Sequence, residues 1–144
     1  MAGFLSLLEL EYLDGARWRI MAEFDYCLGK PDGPERVEIP SGFFTDFASI
    51  PRLFWNIFPP TGSYGKAAVV HDWLYQHQTV VRHQPTSYRF VNRGEADRIF
   101  LEAMTVLSVG WWTRHIIYFG VRAGGWSAWN AYRGSNDFQS RDTR

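Results

Sequence analysis

His71 and Asp72 stand side by side inside an otherwise apolar helical stretch, residues 67–75. A second carboxylate, Asp97, lies on a later helical stretch, residues 95–104. Removing an imidazole and two carboxylates from water costs on the order of several kcal/mol unless they bind each other, a metal ion or hydrogen-bond donors. Their placement on apolar faces therefore indicates either a structural link between two helices or a site that performs chemistry.

Helical spacing predicts that these polar side chains meet. Tyr75 shares a helix face with His71, and Phe100 shares one with Asp97. If the two helices pack antiparallel, the imidazole and the Asp97 carboxylate meet at the seam. A carboxylate on one ring nitrogen fixes the tautomer and leaves the other nitrogen to act as a base. Asp72, one residue further round, then points toward a neighbouring loop, where it is placed to bind a divalent cation.

A purely structural role is the alternative for each of these residues. His71 hydrogen-bonded to Asp97 can link two helices without any reaction. Asp46 is expected to cap or shape a turn more often than to bind a metal, because Asp in such loops commonly bonds local backbone. Ser49 has no Gly-x-Ser-x-Gly surroundings and is a poor nucleophile candidate. The remaining histidines lie in polar or mixed surroundings and are expected at the surface: His77, His83 and His115.

The charge balance excludes a strongly basic protein. The 15 basic and 15 acidic residues cancel, so we expect no nucleic-acid partner, which normally requires a basic excess. Only Lys30 and Lys66 are lysines, and arginine is the better residue for interface ion pairs and ring stacking. With seven tryptophans, this bias favours a protein partner bound through a Trp- and Arg-rich surface. Trp111 and Trp112 are also suited to contact with a membrane surface.

Three further features bear on localisation. The single Cys27 excludes an internal disulfide. The first residues lack the charged region and cleavage pattern of a signal peptide, so we expect a chain that is not classically secreted. The most hydrophobic window, residues 103–121, contains Gly110, Arg114 and His115 and makes a poor transmembrane helix.

Strand patterns precede helix patterns, which predicts an α+β fold: an N-terminal antiparallel hairpin or small sheet followed by about three packed helices. The expected hairpin joins residues 8–12 to residues 18–26, and residues 37–40 form a short strand. Residues 52–58 are expected to form a helical turn, and residues 78–90 a loop or ribbon. The expected helices cover residues 66–76, 92 or 93 to about 110, 111–123 and 126–132. Residues 1–133 are predicted to form one domain, followed by a flexible polar tail, residues 134–144.

The string His71-Asp72-x-x-Tyr75, followed by Asp97 on a second helix, resembles the catalytic helix pair of phospholipase A2. The resemblance implies that His71 is the general base, that Asp72 binds calcium, and that Tyr75 and Asp97 orient the imidazole. The paired cysteines and the glycine-rich calcium loop of the secreted enzymes have no counterpart here. The nearest substitutes for that loop are residues 60–65 and the turn around Asp46, which is the second candidate metal ligand.

A longer resemblance covers about residues 37–133. This part of the chain is similar to a family of uncharacterised proteins of tailed bacteriophages and prophage-bearing bacteria. The similarity lies in the string Thr45-Asp46-Phe47-Ala48-Ser49-Ile50-Pro51, the His-Asp-x-x-Tyr string that follows it, and Ala96-Asp97. The resemblance implies a phage origin and supplies no reaction.

Two functions are therefore expected. In the first, the His71/Asp97 dyad and a divalent cation, preferably calcium, at Asp72 and Asp46 hydrolyse an ester or related bond in the host envelope. In the second, the chain is a non-enzymatic virion component, such as a tail or baseplate accessory protein. Its His-Asp cluster is then structural, and its Trp-rich end docks on another virion protein. Both functions imply the virion or the infected host cytoplasm as the location.

Overall fold

The computed structural model describes residues 3–4, 7–14, 17–29, 33–47, 50–56, 64–83 and 85–133. The strands are β1 (Gly3–Phe4), β2 (Leu10–Asp14), β3 (Arg17–Ile20), β4 (Phe24–Cys27), β5 (Glu35–Ile39), β6 (Phe44–Thr45), β7 (Thr79–Arg82) and β8 (Ser87–Phe90). The helices are α1 (Gly65–His77), α2 (Arg93–Val106) and α3 (Trp111–Gly124), with a short 3-10 turn at Arg52–Phe54. Residues 126–133 are also helical. The predicted α+β class, with N-terminal strands followed by helices, is confirmed.

The strands form two antiparallel sheets. One has the order β1-β4-β5-β7-β8, and the other has the order β2-β3-β6. The predicted hairpin is confirmed where Leu10 pairs with Ile20 across β2 and β3. The predicted single strand over residues 18–26 was wrong, because the chain leaves one sheet after Ile20 and joins the other at Phe24. Ile20 bonds the backbone beside β6, whereas Phe24 pairs with Ile39 of β5.

The prediction of a loop or ribbon within residues 78–90 is confirmed in its second form, because β7 and β8 make a ribbon that extends the larger sheet at its edge. One boundary differs from the sequence expectation. The helix expected to reach about Gly110 ends at Val106, because Ser108 adopts a left-handed conformation with φ of 59°. The Val109 N–H then donates to the Met104 carbonyl, which closes the turn before α3 begins.

The helix α1 occupies the centre of the molecule. It contacts α2 on one side and strands β5 and β6 on the other. Its apolar residues are buried on nearly every side, which is typical of a core helix. The small side chains of Ala67 and Ala68 are fully buried and let neighbouring elements approach closely. Because α1 is buried in this way, the polar side chains of His71 and Asp72 are inside the core.

The described part of the chain ends in a helical segment, residues 126–133. The predicted short helix over residues 126–132 is confirmed, whereas the predicted tail, residues 134–144, lies outside the described residues. Ser49 and residues 57–58 also lie outside them, and the assignment of residues 1–133 to one domain stays a prediction.

Across the described part of the chain, no helix has the length and apolar character needed to cross a membrane.

Candidate functional site

The Asp97 carboxylate is the centre of a buried polar cluster. Its Oδ1 lies 2.7 Å from His71 Nε2 and accepts a hydrogen bond from the Tyr75 hydroxyl, also at 2.7 Å. Its Oδ2 accepts a hydrogen bond from Arg122 Nη1 at 2.8 Å. The structure therefore brings together the three residues that the sequence proposed as a catalytic group, and it adds an arginine. We call His71, Tyr75, Asp97 and Arg122 the Asp97 cluster.

The three long helices position the members of the Asp97 cluster. His71 and Tyr75 lie one turn apart on α1, so both reach the same neighbour. Asp97 lies in the first half of α2, whose N-terminus is capped by the Asn92 side chain accepting from the Glu95 N–H at 2.8 Å. Arg122 comes from the last turn of α3. One carboxylate thus joins all three long helices.

Arg93 reinforces this junction from α2. Its Nη1 lies 3.6 Å from Asp97 Oδ2 and donates to the carbonyls of Val121 and Arg122 at 3.2 and 3.1 Å. Carbonyls in the last turn of a helix lack some of their partners within the helix. The guanidinium binds the Arg122 carbonyl and adds a second hydrogen bond to the Val121 carbonyl, which also accepts the Gly125 N–H at 2.8 Å. The (i, i+4) spacing of Arg93 and Asp97 was visible in the sequence, whereas the pairing of Asp97 with Arg122 was not.

The side chains of His71, Tyr75 and Asp97 are sealed from solvent, each with 0% of its surface exposed. The imidazole stacks on the Phe100 ring, with centroids 4.4 Å apart and planes 22° apart. The Tyr75 ring packs on it at 4.3 Å. A general base must come within hydrogen-bond reach of the water or substrate that it deprotonates. In this conformation the imidazole contacts protein groups instead of bulk solvent.

The protonation states follow from burial and from the donors around Asp97. Burial lowers the pKa of His71, and the hydrogen bond and charge of Asp97 offset only part of that effect. Burial raises the pKa of Asp97, but hydrogen bonds from His71, Tyr75 and Arg122 outweigh it and hold the pKa below 3.8. The Asp97 cluster therefore contains a neutral imidazole, donating from Nε2, beside an ionised carboxylate near the guanidinium of Arg122.

We expect the free energy of unfolding to fall as the pH drops below 6.5, the ordinary pKa of His71. Because the folded chain lowers that pKa, the unfolded chain binds a proton that the folded chain does not, and acid favours unfolding. The low pKa of Asp97 adds a second loss below pH 3.8. Urea unfolding between about pH 8 and pH 5 measures the first effect.

Two variants assign this pH dependence to its source. His71→Gln should flatten the dependence below pH 6.5, because the titrating group is gone. His77→Gln is the comparison. Desolvation also lowers the pKa of His77, but its side chain is exposed, so this variant should flatten the dependence less than His71→Gln does. A His71→Gln protein with the same pH dependence as the unmodified chain would contradict a buried, neutral imidazole.

Asp72 points away from the Asp97 cluster, toward β6. Its Oδ2 accepts hydrogen bonds from the Thr45 hydroxyl at 2.7 Å and from Gln76 Nε2 at 3.1 Å. The Asp72 side chain is fully buried. Next to it is a recess of about 100 Å³, lined by Arg17, Phe44, Thr45, Asp46, Gln76 and Tyr132. The two predicted metal ligands, Asp72 and Asp46, are thus associated with one small recess.

Tyr132 is a member of this recess that sequence reasoning missed. Burial, together with the nearby charges of Asp72 and Asp46, raises the pKa of its hydroxyl to about 12. The hydroxyl therefore stays protonated near neutral pH and is available as a donor. The helical segment over residues 126–133 also places Trp129 edge-on against Tyr75, with ring centroids 5.2 Å apart. This segment connects the recess to the Asp97 cluster.

The recess does not offer a complete calcium shell. Calcium takes six to eight oxygen ligands, whereas two carboxylates and a few hydroxyl and amide groups are associated with this recess. Within the described ranges, no group of three or more His, Cys, Asp or Glu side chains is arranged to hold a metal ion. Asp72 Oδ2 also already accepts two hydrogen bonds. The assignment of calcium to Asp72 and Asp46 stays a prediction.

The other three histidines of the chain do not belong to the Asp97 cluster. His77 is exposed and stacks on Trp73, with ring centroids 3.6 Å apart. His83 is half-buried and pairs with Glu38. The half-buried His115 stacks on Trp111. The surface position predicted for His77 is confirmed, and the other two are partly covered.

Comparisons with known proteins identify a family but no reaction. A family model described as "Protein of unknown function (DUF1353)" matches residues 18–121. The uncharacterized protein y4jT of Sinorhizobium fredii is 29% identical over 103 residues, which are 70% of this chain and 27% of that relative. The chain thus spans about a quarter of the length of the curated relative that it matches. No solved structure matches. Because the family model covers well over half of the sequence, the chain belongs to the DUF1353 family of proteins of unknown function.

Proposed function

We propose that this chain is a non-enzymatic accessory protein of a tailed-phage particle, in the tail or baseplate, and that its Asp97 cluster is a structural junction. The observation that carries the structural role is the complete burial of His71, Tyr75 and Asp97. Hydrolysis by activated water requires that water and substrate reach the imidazole. Because the His71 imidazole is enclosed by protein groups, a structural role is favoured over a catalytic one.

The electrostatics of the Asp97 cluster support the same conclusion. Two guanidinium groups, from Arg93 and Arg122, lie 3.6 and 2.8 Å from Asp97 Oδ2. Because these cations already compensate the carboxylate, it gives less stabilisation to an imidazolium ion, which a general base must become. Breaking a buried ion pair by removing one partner is strongly destabilising.

The proposed phage origin rests on the similarity of the string at residues 45–51, and of the His-Asp-x-x-Tyr and Ala-Asp strings, to proteins of tailed phages and prophages. Several of these residues surround the recess and the Asp97 cluster, including Thr45, Asp46, Asp72 and Asp97. A virion protein is recovered with particles, whereas a protein of the infected cytoplasm is not. Mass spectrometry of density-purified particles from a producing strain should detect the chain. Its presence in the lysate and absence from the particles would contradict the virion role.

A metal-assisted hydrolase acting on an ester of the host envelope is the second candidate function. The observation that favours it is the recess beside Asp72, at the position to which the phospholipase A2 resemblance gives the metal. This function also requires an opening motion that exposes His71. Under it, Asp72 and Asp46 would hold the ion, which would polarise the ester, and His71 would accept a proton from the attacking water.

Calcium titration by calorimetry separates the two functions. Under the structural proposal we expect no calcium binding by the unmodified chain. Saturable binding that is lost in both Asp72→Asn and Asp46→Asn would overturn that proposal in favour of the hydrolase. Asp46→Asn is the safer variant, because Asp46 is only half-buried and its replacement puts the core at less risk.

A further inference from the structure

The helical segment over residues 126–133 packs on the rest of the molecule through one narrow face. Trp129 is 8% exposed and lies edge-on against Tyr75. Tyr132, about one turn later on the same face, lines the recess beside Asp72. The opposite face is exposed to solvent and consists of Trp126, Ser127, Asn130, Ala131 and Arg133. We call residues 126–133 the C-terminal flap.

The C-terminal flap is joined to α3 through a pair of glycines, Gly124 and Gly125. The Gly125 N–H donates to the Val121 carbonyl at 2.8 Å, which ties Gly125 to the end of α3. A Cβ atom at residue 125 would lie 2.6 Å from the Tyr75 hydroxyl and from the Val121 carbonyl oxygen, so the position requires glycine. Small residues at the end of an element are common hinges. Gly125 is therefore a pivot held against the core, beyond which the flap can turn.

The C-terminal flap closes a recess that has room for little more than water. The recess encloses about 100 Å³, which is the volume of about three water molecules at roughly 30 Å³ each. Tyr132 supplies one wall, whereas the other lining side chains come from α1 and from the chain around β3 and β6. At the recess lie Thr45 and the Asp72 carboxylate that it binds, 1% and 0% exposed. Turning the flap outward removes the Tyr132 wall and opens a path to this buried pair.

The C-terminal flap is buried much less than the helices of the core. Nine residues of α1 are buried, whereas Trp129 is the one buried residue among residues 126–133. A helix of this length is marginal in water by itself, so the flap depends on its packing against the core. Segments that bury few apolar side chains open at a lower free energy than the core does. The flap should therefore leave its docked position while α1, α2 and α3 stay folded.

We propose that the C-terminal flap is a lid that opens and closes the Asp72 recess by turning about Gly125. When closed, it covers Thr45 and Asp72 with the Tyr132 wall. When open, it admits solvent and ligands larger than a few water molecules. His71 stays covered in both positions, because the rings that pack on it belong to α1 and α2. The proposal therefore goes beyond both functions above and does not depend on which of them the Asp97 cluster serves.

Thiol labelling of the full chain tests this proposal. Thr45→Cys places a thiol at the recess, where the unmodified side chain is 1% exposed, and the fully buried Cys27 serves as the internal reference for global unfolding. Under native conditions a maleimide should modify the introduced thiol at least about tenfold faster than Cys27. Peptide mapping measures the two rates separately. Adding Trp129→Ala should raise the ratio of the two rates at least about tenfold, because the flap then loses its buried anchor.

A matched variant and a label-free measurement control the experiment. Trp126→Ala removes a ring that is 58% exposed on the outer face of the flap and should leave the rate ratio unchanged. Gln76→Cys, at another wall of the recess, replaces Thr45→Cys if the latter does not fold. In the unmodified chain, amide protons of residues 127–133 should exchange for deuterium at least about tenfold faster than those of residues 69–77.

Three results would overturn the lid. The first is labelling of the introduced thiol no faster than that of Cys27, since the recess would then open only when the whole chain unfolds. The second is a rate ratio that Trp129→Ala leaves unchanged, since the flap would then not control access. The third is labelling at the rate of an unstructured peptide, since the recess would then be open without any motion.

Discussion

Asp97→Ala is expected to lower the free energy of unfolding by about 3–5 kcal/mol, the range found when one partner of a buried ion pair is removed. The fully buried Asp97 carboxylate accepts hydrogen bonds from the buried His71 and Tyr75 side chains and from the partly exposed Arg122 guanidinium. Its loss leaves buried donors without their acceptor, and each such group carries a desolvation penalty. Urea unfolding followed by circular dichroism measures the change at constant pH.

Glu95→Gln on the same helix is the matched control. Glu95 forms an ion pair with Arg89 at 2.7 Å, but the two side chains are 25% and 42% exposed. Solvent-accessible pairs of this kind contribute up to about 1 kcal/mol. Asp97→Asn should fall between the two variants, because it keeps an acceptor oxygen and loses the charge. If Asp97→Ala cost no more than Glu95→Gln, the central structural role of Asp97 would be wrong.

Phe100→Ala is expected to cost a similar amount, about 3–5 kcal/mol, because it opens a cavity in the core. The Phe100 ring is fully buried and covers one face of the His71 imidazole. Removing it reduces the desolvation that lowers the pKa of His71. The variant should therefore be less stable and also lose less stability than the unmodified chain as the pH falls below 6.5.

Leu101→Ala, one position along α2, is the control for Phe100→Ala. Leu101 is half-buried and packs against the edge of the core, so its truncation should cost less and leave the pH dependence unchanged. Phe100→Leu replaces Phe100→Ala if the latter does not fold. A Phe100 variant that folds with the pH dependence of the unmodified chain would show that the ring does not control the environment of His71.

Local patterns in the sequence account for much of the site. The spacing of His71 and Tyr75 places both on one face of α1, and Asp97 is set among apolar residues of α2. Since each polar group would be costly alone in the core, their pairing could be predicted. The start of α2 was also predictable, because Asn92 has the side chain of an N-cap.

Contacts between distant segments could not be predicted in the same way. The partner of Arg122 depends on how α3 packs on α2, which no local pattern specifies. The switch between sheets after Ile20 depends on hydrogen bonds to residues 42–43, more than twenty positions later. Tyr132 lines the recess only because residues 126–133 fold back beside Gln76. In each case, the contact depends on tertiary packing, which residue spacing and secondary-structure propensity do not determine.

Exchange of the histidine ring C2 protons for deuterium tests the central claim most directly. The four histidines give four NMR signals that His→Gln variants assign. Because His71 is fully buried, its C2 proton should exchange at least about a hundredfold more slowly than that of the exposed His77, through rare opening of the fold. Exchange of His71 at the rate of His77 would show that solvent reaches the imidazole and would contradict a sealed structural cluster.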